Sequence, residues 1–204
     1  MNVITISREF GSGGRELGKR LADALGYRYY DREIIEAIAK ETSLDEQYIE
    51  RTLENGAGAA IYPITFSRSF GYLAPVNTHY FEILARQQEI IKRIPEHGNC
   101  VIVGRSADSV LAEYNPVKIF VYADMTSKLA RCKARAKSGE ELTDKQLIRK
   151  IKKLDKVRKQ THDMYSSTEW GDKKTYNLCV NTTGVDIKEL AIKLAEYLKL
   201  YIKD

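Results

Sequence analysis

Short runs of consecutive apolar residues occur along the chain, and the segments between them place apolar residues three or four positions apart. The runs predict four strands, at residues 3–6, 100–103, 117–122 and 176–180. Apolar runs without polar alternation are typical of strands buried on both faces of a parallel sheet. Strands separated by helical segments form βαβ units, so the pattern predicts an α/β fold with a mostly parallel central sheet and helices on both faces.

Helical spacing is clearest directly after the first predicted strand. Leu17 and Leu21 lie four positions apart, and Gly26 then ends the apolar periodicity. Ser43 and Glu46 have the spacing of a capping box and predict the start of a later helix. The same periodicity predicts further helices, around residues 34–38, 78–94, 126–137, 142–165 and 186–202.

Residues 55–77 interrupt this periodicity with glycine, proline, hydroxyl and aromatic residues. A loop of this length inside a compact domain is usually functional or mobile. The total of 204 residues fits one domain, or one domain that carries a small inserted lid.

The composition excludes several classes of protein for this chain. The chain is 43% hydrophobic and 30% charged, which supports a folded core and excludes a wholly disordered protein. No apolar run approaches the ~18 residues of a membrane span, and the first residues lack the pattern of a secretory signal. Three widely spaced cysteines predict neither a disulfide framework nor a paired metal site, so we expect a cytoplasmic protein.

The net charge of +5 suits an anionic ligand such as nucleotide phosphate. Basic residues concentrate at residues 145–159, but no aromatic residues are interleaved with them and no RNA-binding motif is present. We interpret most of these side chains, and Lys128 and Lys133 with them, as a solvated surface. A weak RNA-binding protein is therefore the least favoured function.

The clearest chemical signal is a glycine-rich turn between a predicted strand and a predicted helix. In this context backbone N–H groups and a helix N-terminus together bind phosphate. A glycine turn that only packs the helix closely against the strand is the simpler alternative. The flanking Arg8 and Arg15 favour the phosphate-binding interpretation.

The turn departs from the standard phosphate loop, G-x-x-x-x-G-K-[ST], in both possible registers. In one register Arg8 stands at the first glycine, Gly14 at the lysine and Arg15 at the hydroxyl residue. In the other register Glu9 stands at the first glycine, Arg15 at the lysine and Glu16 at the hydroxyl residue.

Four stretches resemble the cytidylate kinase family of phosphate-loop nucleoside monophosphate kinases, and more closely its divergent cytidylate kinase-like branch. They are ITISREFGSGGRELGKRLADALGYRYYD at residues 4–31, VIVGRSADSVL at 101–111, NPVKIFVYADMTSKLARCKAR at 115–135, and LDKVRK with WGDKKTYNLCVNTT between 154 and 183. The resemblance implies a three-layer P-loop fold, an acceptor-side insertion over about residues 41–98 and a helical lid over about residues 136–165.

The resemblance also implies residues that bind the two substrates. Arg105 is expected to clamp the acceptor phosphate. Asp31 is expected to face the monophosphate acceptor, and Asp155 is expected to bind substrate from the return side of the lid. The donor ATP, with magnesium, is expected to be held by the glycine loop and its neighbours, which are Arg8, Phe10, Gly11, Ser12, Gly13, Gly14, Arg15 and Glu16.

Catalysis is expected to depend on arginines. Phosphoryl transfer needs positioning and neutralisation of charge on the equatorial oxygens, and a guanidinium pairs with phosphate at two points. The resemblance assigns this role to Arg131 and Arg135 at the lid entry and to Arg158 on its return side, together with Arg15 and Arg105.

The chain departs from the family at several positions. The phosphate-loop lysine is absent, so Arg8 or Arg15 would have to replace it. The Ser/Thr that holds magnesium is also absent, although Glu16 could ligate the metal. Ser106 replaces an acidic residue after the Gly-Arg pair, with Asp108 two positions further on. Residues 41–100 carry no base-binding pattern, so cytosine specificity is not implied.

The remaining candidates are interpreted as structural or surface residues. His79, His97 and His162 have no metal-ligand spacing, and Trp170 is expected to pack where the chain returns from the lid. The cysteines are interpreted as small buried hydrophobic residues, at Cys100, Cys132 and Cys179.

We therefore expect a phosphotransferase that moves the γ-phosphoryl group of ATP to a small acceptor, of the nucleoside monophosphate class. A nucleotide-binding module that has lost catalysis and acts as a sensor or partner is the alternative, because the phosphate loop is degenerate. The sequence specifies neither the base of the acceptor nor an oligomeric state.

Overall fold

A parallel sheet forms the centre of the structure. Its strands are β1 (Val3–Arg8), β2 (Arg28–Tyr30), β3 (Cys100–Val103), β4 (Val117–Tyr122) and β5 (Leu178–Asn181). Their order is β2–β3–β1–β4–β5, and every pairing is parallel. The predicted α/β fold is confirmed, with all four predicted strands present. The sequence pattern missed β2, because this edge strand has three residues and none of them is buried.

The computed structural model describes residues 1–56, 78–136 and 142–202. The helices in these ranges are α1 (Gly14–Leu25), α2 (Arg32–Thr42), α3 (Glu46–Asn55), α4 (Thr78–Arg93), α5 (Ala107–Val110), α6 (Met125–Ala134), α7 (Asp144–Asp163) and α8 (Ile187–Leu198). Most of the predicted loop at residues 55–77, and part of the predicted lid at residues 136–165, lie outside the described residues.

The chain divides into two compact units. The larger unit comprises Met1–Asp31 and Ile91–Asp204 and contains the whole sheet. The smaller unit comprises Arg32–Ile90 and contains α2, α3 and most of α4. The boundaries of the acceptor-side insertion and of the lid stay predictions.

Helix α3 begins later than the sequence predicts. Asp45 caps it, because its side chain accepts a hydrogen bond from the Tyr48 N–H at 3.1 Å. The predicted capping box of Ser43 and Glu46 is therefore wrong: Ser43 adopts a left-handed φ of 57° before the helix, and Glu46 is the first helical residue.

Both faces of the sheet are covered. On one face, alternate strand residues pack against α1 and α8 in a cluster that includes Ile4, Ile6, Val101, Val103, Ile119, Val121, Leu17, Leu21, Ala191 and Leu194. On the other face Phe120 packs against Trp170 and Tyr176, with ring centroids 5.1 Å away in both cases. Trp170 therefore packs against the sheet, and burial on both faces explains the continuous apolar runs in the sequence.

The strand order determines where a ligand can bind. The direction in which successive strands are added reverses at β1, which has β3 on one side and β4 on the other. In parallel sheets ligands bind beyond the carboxyl ends of the strands at this switch point. The carboxyl ends of β1, β2 and β3 lead to Arg8, Asp31 and Arg105, so the sheet brings these three residues to the same edge.

The cysteines differ in exposure. Cys100 is buried in the central strand β3, whereas Cys132 on α6 is half-buried. Cys179 is exposed, which corrects the expectation that all three are buried. The reason is that β5 is an edge strand whose residues are alternately half-buried and exposed.

Gly18 allows α1 to approach the sheet, and this packing can be tested. A methyl group at Gly18 would lie 2.6 Å from Val103 Cγ2 and 3.1 Å from Ile6 Cδ1. We expect Gly18→Ala to lower the free energy of unfolding by about 1–3 kcal/mol, because overpacking displaces core side chains. Urea denaturation measures this change. Lys19→Ala, on the exposed side of the same helix, should stay within about 0.5 kcal/mol of wild type; equal losses in both variants would contradict the close packing.

Candidate functional site

A tight glycine loop joins β1 to α1. Gly11 and Gly13 have φ of 77° and 83°, in the region that favours glycine. The Ser12 hydroxyl donates to the Glu9 carbonyl at 2.8 Å and accepts from the Gly14 N–H at 3.4 Å. Gly14 begins α1, so the N–H groups of the first helical turn follow directly after the loop. This strand–loop–helix geometry is the one that binds anions in other proteins.

Charged side chains gather beside the loop at the end of β1. Arg8 Nη2 lies 3.6 Å from Asp31 Oδ1, and Arg15 Nε lies 2.6 Å from Asp31 Oδ2. Burial, followed by the charge of Arg158, lowers the pKa of the Arg8 guanidinium well below its usual value. The charges of Arg105 and Arg15 act in the same direction, and Asp31 opposes them. We call Arg8, Arg15, Arg105 and Arg158 the arginine cluster.

The members of the arginine cluster differ in how much water they contact. The Arg8 side chain is 11% exposed and that of Asp31 is 3% exposed, whereas the Arg15 side chain is 60% exposed. Arg8 is therefore the inner cation and Arg15 the outer one. Arg8 and Arg15 share the Asp31 carboxylate, whereas Arg158 Nη1 lies 3.5 Å from Asp155 Oδ1. This concentration of positive charge suits an anionic ligand.

The segment after β3 is shaped around Arg8. The Arg8 guanidinium lies where a side chain at Gly104 would begin, so only glycine fits there, and Gly104 has a φ of 73°. Arg105 and Ser106 follow with φ of 60° and 52°, which is unusual for residues other than glycine. Such backbone costs on the order of 1–3 kcal/mol per residue and clusters at functional sites. The strained turn positions Arg105 beside Arg8.

Lys128 on α6 forms a second charged group beneath the loop. Its Nζ lies 2.6 Å from Glu9 Oε2 and 3.8 Å from Asp155 Oδ2, and the residue is 5% exposed. The expectation that Lys128 belongs to a solvated surface is wrong. Its spacing of three from Arg131 places both residues on one face of α6, and this was the one sequence signal that could have identified it.

Asp155 and Arg158 on α7 hold the first residues of the loop. Asp155 Oδ1 accepts a hydrogen bond from the Phe10 N–H at 2.6 Å, and Arg158 Nη1 donates to the Arg8 carbonyl at 3.0 Å. The Arg158 guanidinium also lies over the Phe10 ring, 5.5 Å from its centroid. Burial raises the pKa of the Asp155 carboxyl, while the Phe10 N–H, Arg158 and Lys128 oppose this change. The loop and α7 are thus directly bonded.

Arg131 supports the loop from the other side. Its Nη2 donates to the Thr182 carbonyl at 2.6 Å, and its Nη1 donates to Thr182 Oγ1 at 3.2 Å and to the Ser12 carbonyl at 3.4 Å. Thr182 Oγ1 also donates to the Ser12 carbonyl at 2.6 Å. Arg131 therefore joins the loop to the end of β5, and its predicted contact with the transferring phosphoryl group stays a prediction.

Arg135 contacts the first turn of α1. Its Nη2 lies 2.7 Å from Glu16 Oε2, and Arg20 Nε lies 3.0 Å from Glu16 Oε1. Both carboxylate oxygens of Glu16 thus face arginines, which does not favour metal binding by this residue. Within the described residues no group of three or more potential metal ligands occurs. The residues that the structure describes therefore form no protein cage for magnesium.

Asp108 and His162 form a buried polar pair. His162 Nε2 lies 3.2 Å from Asp108 Oδ2, with the side chains 1% and 2% exposed. Burial raises the pKa of the nearby Tyr176, and the charge of Asp108 adds to this effect. Asp108 therefore bonds α5 to the end of α7. His162 is buried, so of the structural and surface roles expected for the histidines, this position favours the structural one.

Comparison with known proteins decides the family. Residues 3–184 match the sequence model of the Cytidylate kinase-like family. The chain belongs to this family. A cytidylate kinase of Rhodopseudomonas palustris (strain BisB18) is 29% identical over 163 residues, which cover 75% of this chain and 77% of that protein.

Solved structures related to this cytidylate kinase-like protein have the same fold. A crystal structure of a protein from Eubacterium ventriosum ATCC 27560 superimposes with a TM-score of 0.69 at 26% identity, covering 98% of this chain and 99% of that one. Shikimate kinase from Acinetobacter baumannii superimposes with a TM-score of 0.58 at 13% identity, covering 100% and 96%. The predicted P-loop kinase fold is confirmed. In the part of the chain that the structure describes, no helix has the length and apolarity needed to cross a membrane.

Two lysines on α6 provide a matched test of the buried charges. Lys128 and Lys133 each lie 2.6 Å from a carboxylate, but the Lys128 side chain is 7% exposed and that of Lys133 is 53% exposed. We expect Lys128→Met to lower the free energy of unfolding by about 2 kcal/mol, since it removes the cation that neutralises the partly buried Glu9 and Asp155 carboxylates. Lys133→Met should change it by at most about 1 kcal/mol. Urea denaturation of both variants measures these changes. Equal losses of unfolding free energy in the two variants would contradict a structural role for Lys128.

Proposed function

We propose that this cytidylate kinase-like protein is an ATP-dependent phosphotransferase that moves the γ-phosphoryl group of ATP to an acceptor of the nucleoside monophosphate class. The observation that carries the proposal is the arginine cluster beside the glycine loop, at the switch point of the sheet. Four arginines gathered beside backbone N–H groups at a helix N-terminus suit a ligand with several negative charges. Family membership supports the same class of reaction.

The glycine loop and the N-terminus of α1 are suited to bind the β- and γ-phosphates of ATP. Their backbone N–H groups supply fixed dipoles, and Asp155 and Arg131 hold the loop in place from opposite sides. The acceptor then approaches from the side of β3, where Arg105 and Asp31 lie. Its oxygen attacks the γ-phosphorus, the bond to the β–γ bridging oxygen breaks, and ADP leaves.

The arginine cluster lowers the barrier by electrostatics. Negative charge spreads over the equatorial oxygens of the transferring group, and guanidinium groups fixed in a poorly hydrated site stabilise that charge. Arg8 and Arg158 are held by Asp31 and Asp155, so little reorganisation is needed when the phosphates bind. Magnesium bound to the phosphates of ATP would supply further neutralisation, and it usually keeps several water ligands in such complexes.

A nucleotide-binding module without transferase activity is the second candidate. It is favoured by one observation: Glu16, at the first turn of α1, is bonded to Arg20 and Arg135, and the standard metal-binding hydroxyl residue is absent. This candidate predicts that ATP binds but that no acceptor releases ADP.

The direct test of the proposal is ADP release from ATP and magnesium with CMP, dCMP, UMP, AMP and GMP as acceptors. We expect one of these to stimulate ADP release and Arg105→Ala to reduce the rate by about 10²–10³-fold, the typical effect of removing one transition-state contact. Arg149→Ala is the control, since Arg149 is exposed on α7. ATP binding with no stimulated release by any acceptor would favour the binding module, and equal rates in the Arg105 variant would contradict the proposed site.

A further inference from the structure

The position that carries lysine in a standard phosphate loop is closed to side chains in this protein. In the register that keeps the second glycine of the pattern at Gly13, this position is Gly14. A Cβ atom at Gly14 would lie 2.6 Å from Arg8 Cβ, 3.1 Å from Arg8 Cγ and 3.3 Å from Val121 Cβ. Gly14 has an ordinary helical conformation. The Arg8 side chain is therefore the main reason for glycine here.

The Arg8 side chain uses the space that Gly14 leaves. Its stem passes Gly14, and its guanidinium ends at Gly104, beyond the carboxyl end of β3. Gly14 and Gly104 thus leave space for the Arg8 side chain, one at each end of it. In the same register Arg8 itself stands where the standard loop has its first glycine. Compared with the standard loop, this chain therefore has a cation in place of glycine at position 8 and a glycine in place of the cation at position 14.

We propose that Arg8 replaces the phosphate-loop lysine, so that the cation binding the donor phosphates comes from the last residue of β1 instead of the first turn of α1. This inference rests on the proposed function and specifies which residue contacts the polyphosphate. Arg15, the other candidate, is 60% exposed and bonded to Asp31 at 2.6 Å. The Arg8 side chain is 11% exposed, and its Nη2 lies further from the same carboxylate, at 3.6 Å. Arg8 is therefore both more buried and less tightly paired than Arg15.

The placement of Arg8 suits a contact with phosphate. Its neighbours Arg158, Arg105 and Arg15 are cations, and the charge of Asp31 offsets part of their effect on Arg8. A phosphoryl group between Arg8 and the loop would relieve this repulsion. A guanidinium can also bind two phosphate oxygens at once, whereas an ammonium acts as a point charge.

The test is a swap of the two positions, read by calorimetric binding of inorganic tripolyphosphate and by ADP release. The variants are Arg8→Gly, Gly14→Lys, and the double variant Arg8→Gly/Gly14→Lys, which recreates a standard cation position. Glycine is needed at position 8 because Arg8 Cβ is itself the clashing atom. We expect Arg8→Gly to weaken tripolyphosphate binding by about 10–100-fold, as loss of a charged hydrogen bond does. Gly14→Lys should lower the melting temperature, and the double variant should regain binding by at least about tenfold over Arg8→Gly.

A second pair of variants keeps the inference testable if the glycine variants fold poorly. Arg8→Met retains most of the side-chain volume without the charge, and Arg15→Gln is its comparison. The inference requires a clearly larger loss of tripolyphosphate affinity in Arg8→Met than in Arg15→Gln, with native circular dichroism in both. Wild-type affinity in Arg8→Met, or a folded double variant that binds no better than Arg8→Gly, would overturn it.

The two readouts separate this inference from the proposed function. If the wild-type protein binds tripolyphosphate in an Arg8-dependent way but transfers phosphoryl to no acceptor, Arg8 is supported and the phosphotransferase proposal fails. If transfer occurs at the wild-type rate in folded Arg8→Met, the phosphotransferase proposal stands and the role of Arg8 is overturned.

Discussion

Repulsion between arginines at the end of β1 is the constraint on which the rest of the site depends. Arg8 is largely removed from water, with Arg158, Arg105 and Arg15 as neighbours. Asp31 offsets part of this charge. Folding can tolerate such a cluster only if the surrounding structure fixes it, and the anion that we propose to bind there would stabilise it.

Several local features of the fold serve this constraint. Gly14 and Gly104 make room for the two ends of the Arg8 side chain. Lys128 holds Glu9, and Asp155 holds the Phe10 N–H, so the loop is bonded to both α6 and α7. The strained turn after β3 places Arg105 beside Arg8. These contacts fix cations and N–H groups before any ligand arrives, which is the arrangement that makes electrostatic catalysis effective.

The sequence predicted the parts of the structure that depend on local pattern. Apolar runs identified β1, β3 and β4 because their central residues are buried, and β5 by the same pattern although it is an edge strand. The glycine turn between strand and helix identified the loop. The edge strand β2 and the exposure of Cys179 escaped prediction, because both depend on which strands lie at the edges of the sheet.

Contacts between distant segments could not be predicted from the sequence either. Lys128 has the same residue type and helix as Lys133, and only its contact with Glu9, 119 positions away, distinguishes a buried ion pair from a surface charge. In the same way, the sequence left both Arg8 and Arg15 as candidates for the missing lysine, and of these two it placed only Arg15 among the catalytic arginines. Their different burial depends on how α1 packs against β1 and β3.

The most direct test of a polyphosphate site at the arginine cluster is the melting temperature of the protein with ATP compared with adenosine, at low ionic strength. The two ligands share base and sugar and differ only in the phosphates. ATP should raise the melting temperature in proportion to its binding, adenosine should leave it unchanged, and added salt should weaken the effect of ATP. Equal effects of ATP and adenosine, or no effect of ATP at millimolar concentration, would contradict the assignment of the arginine cluster as a phosphate site.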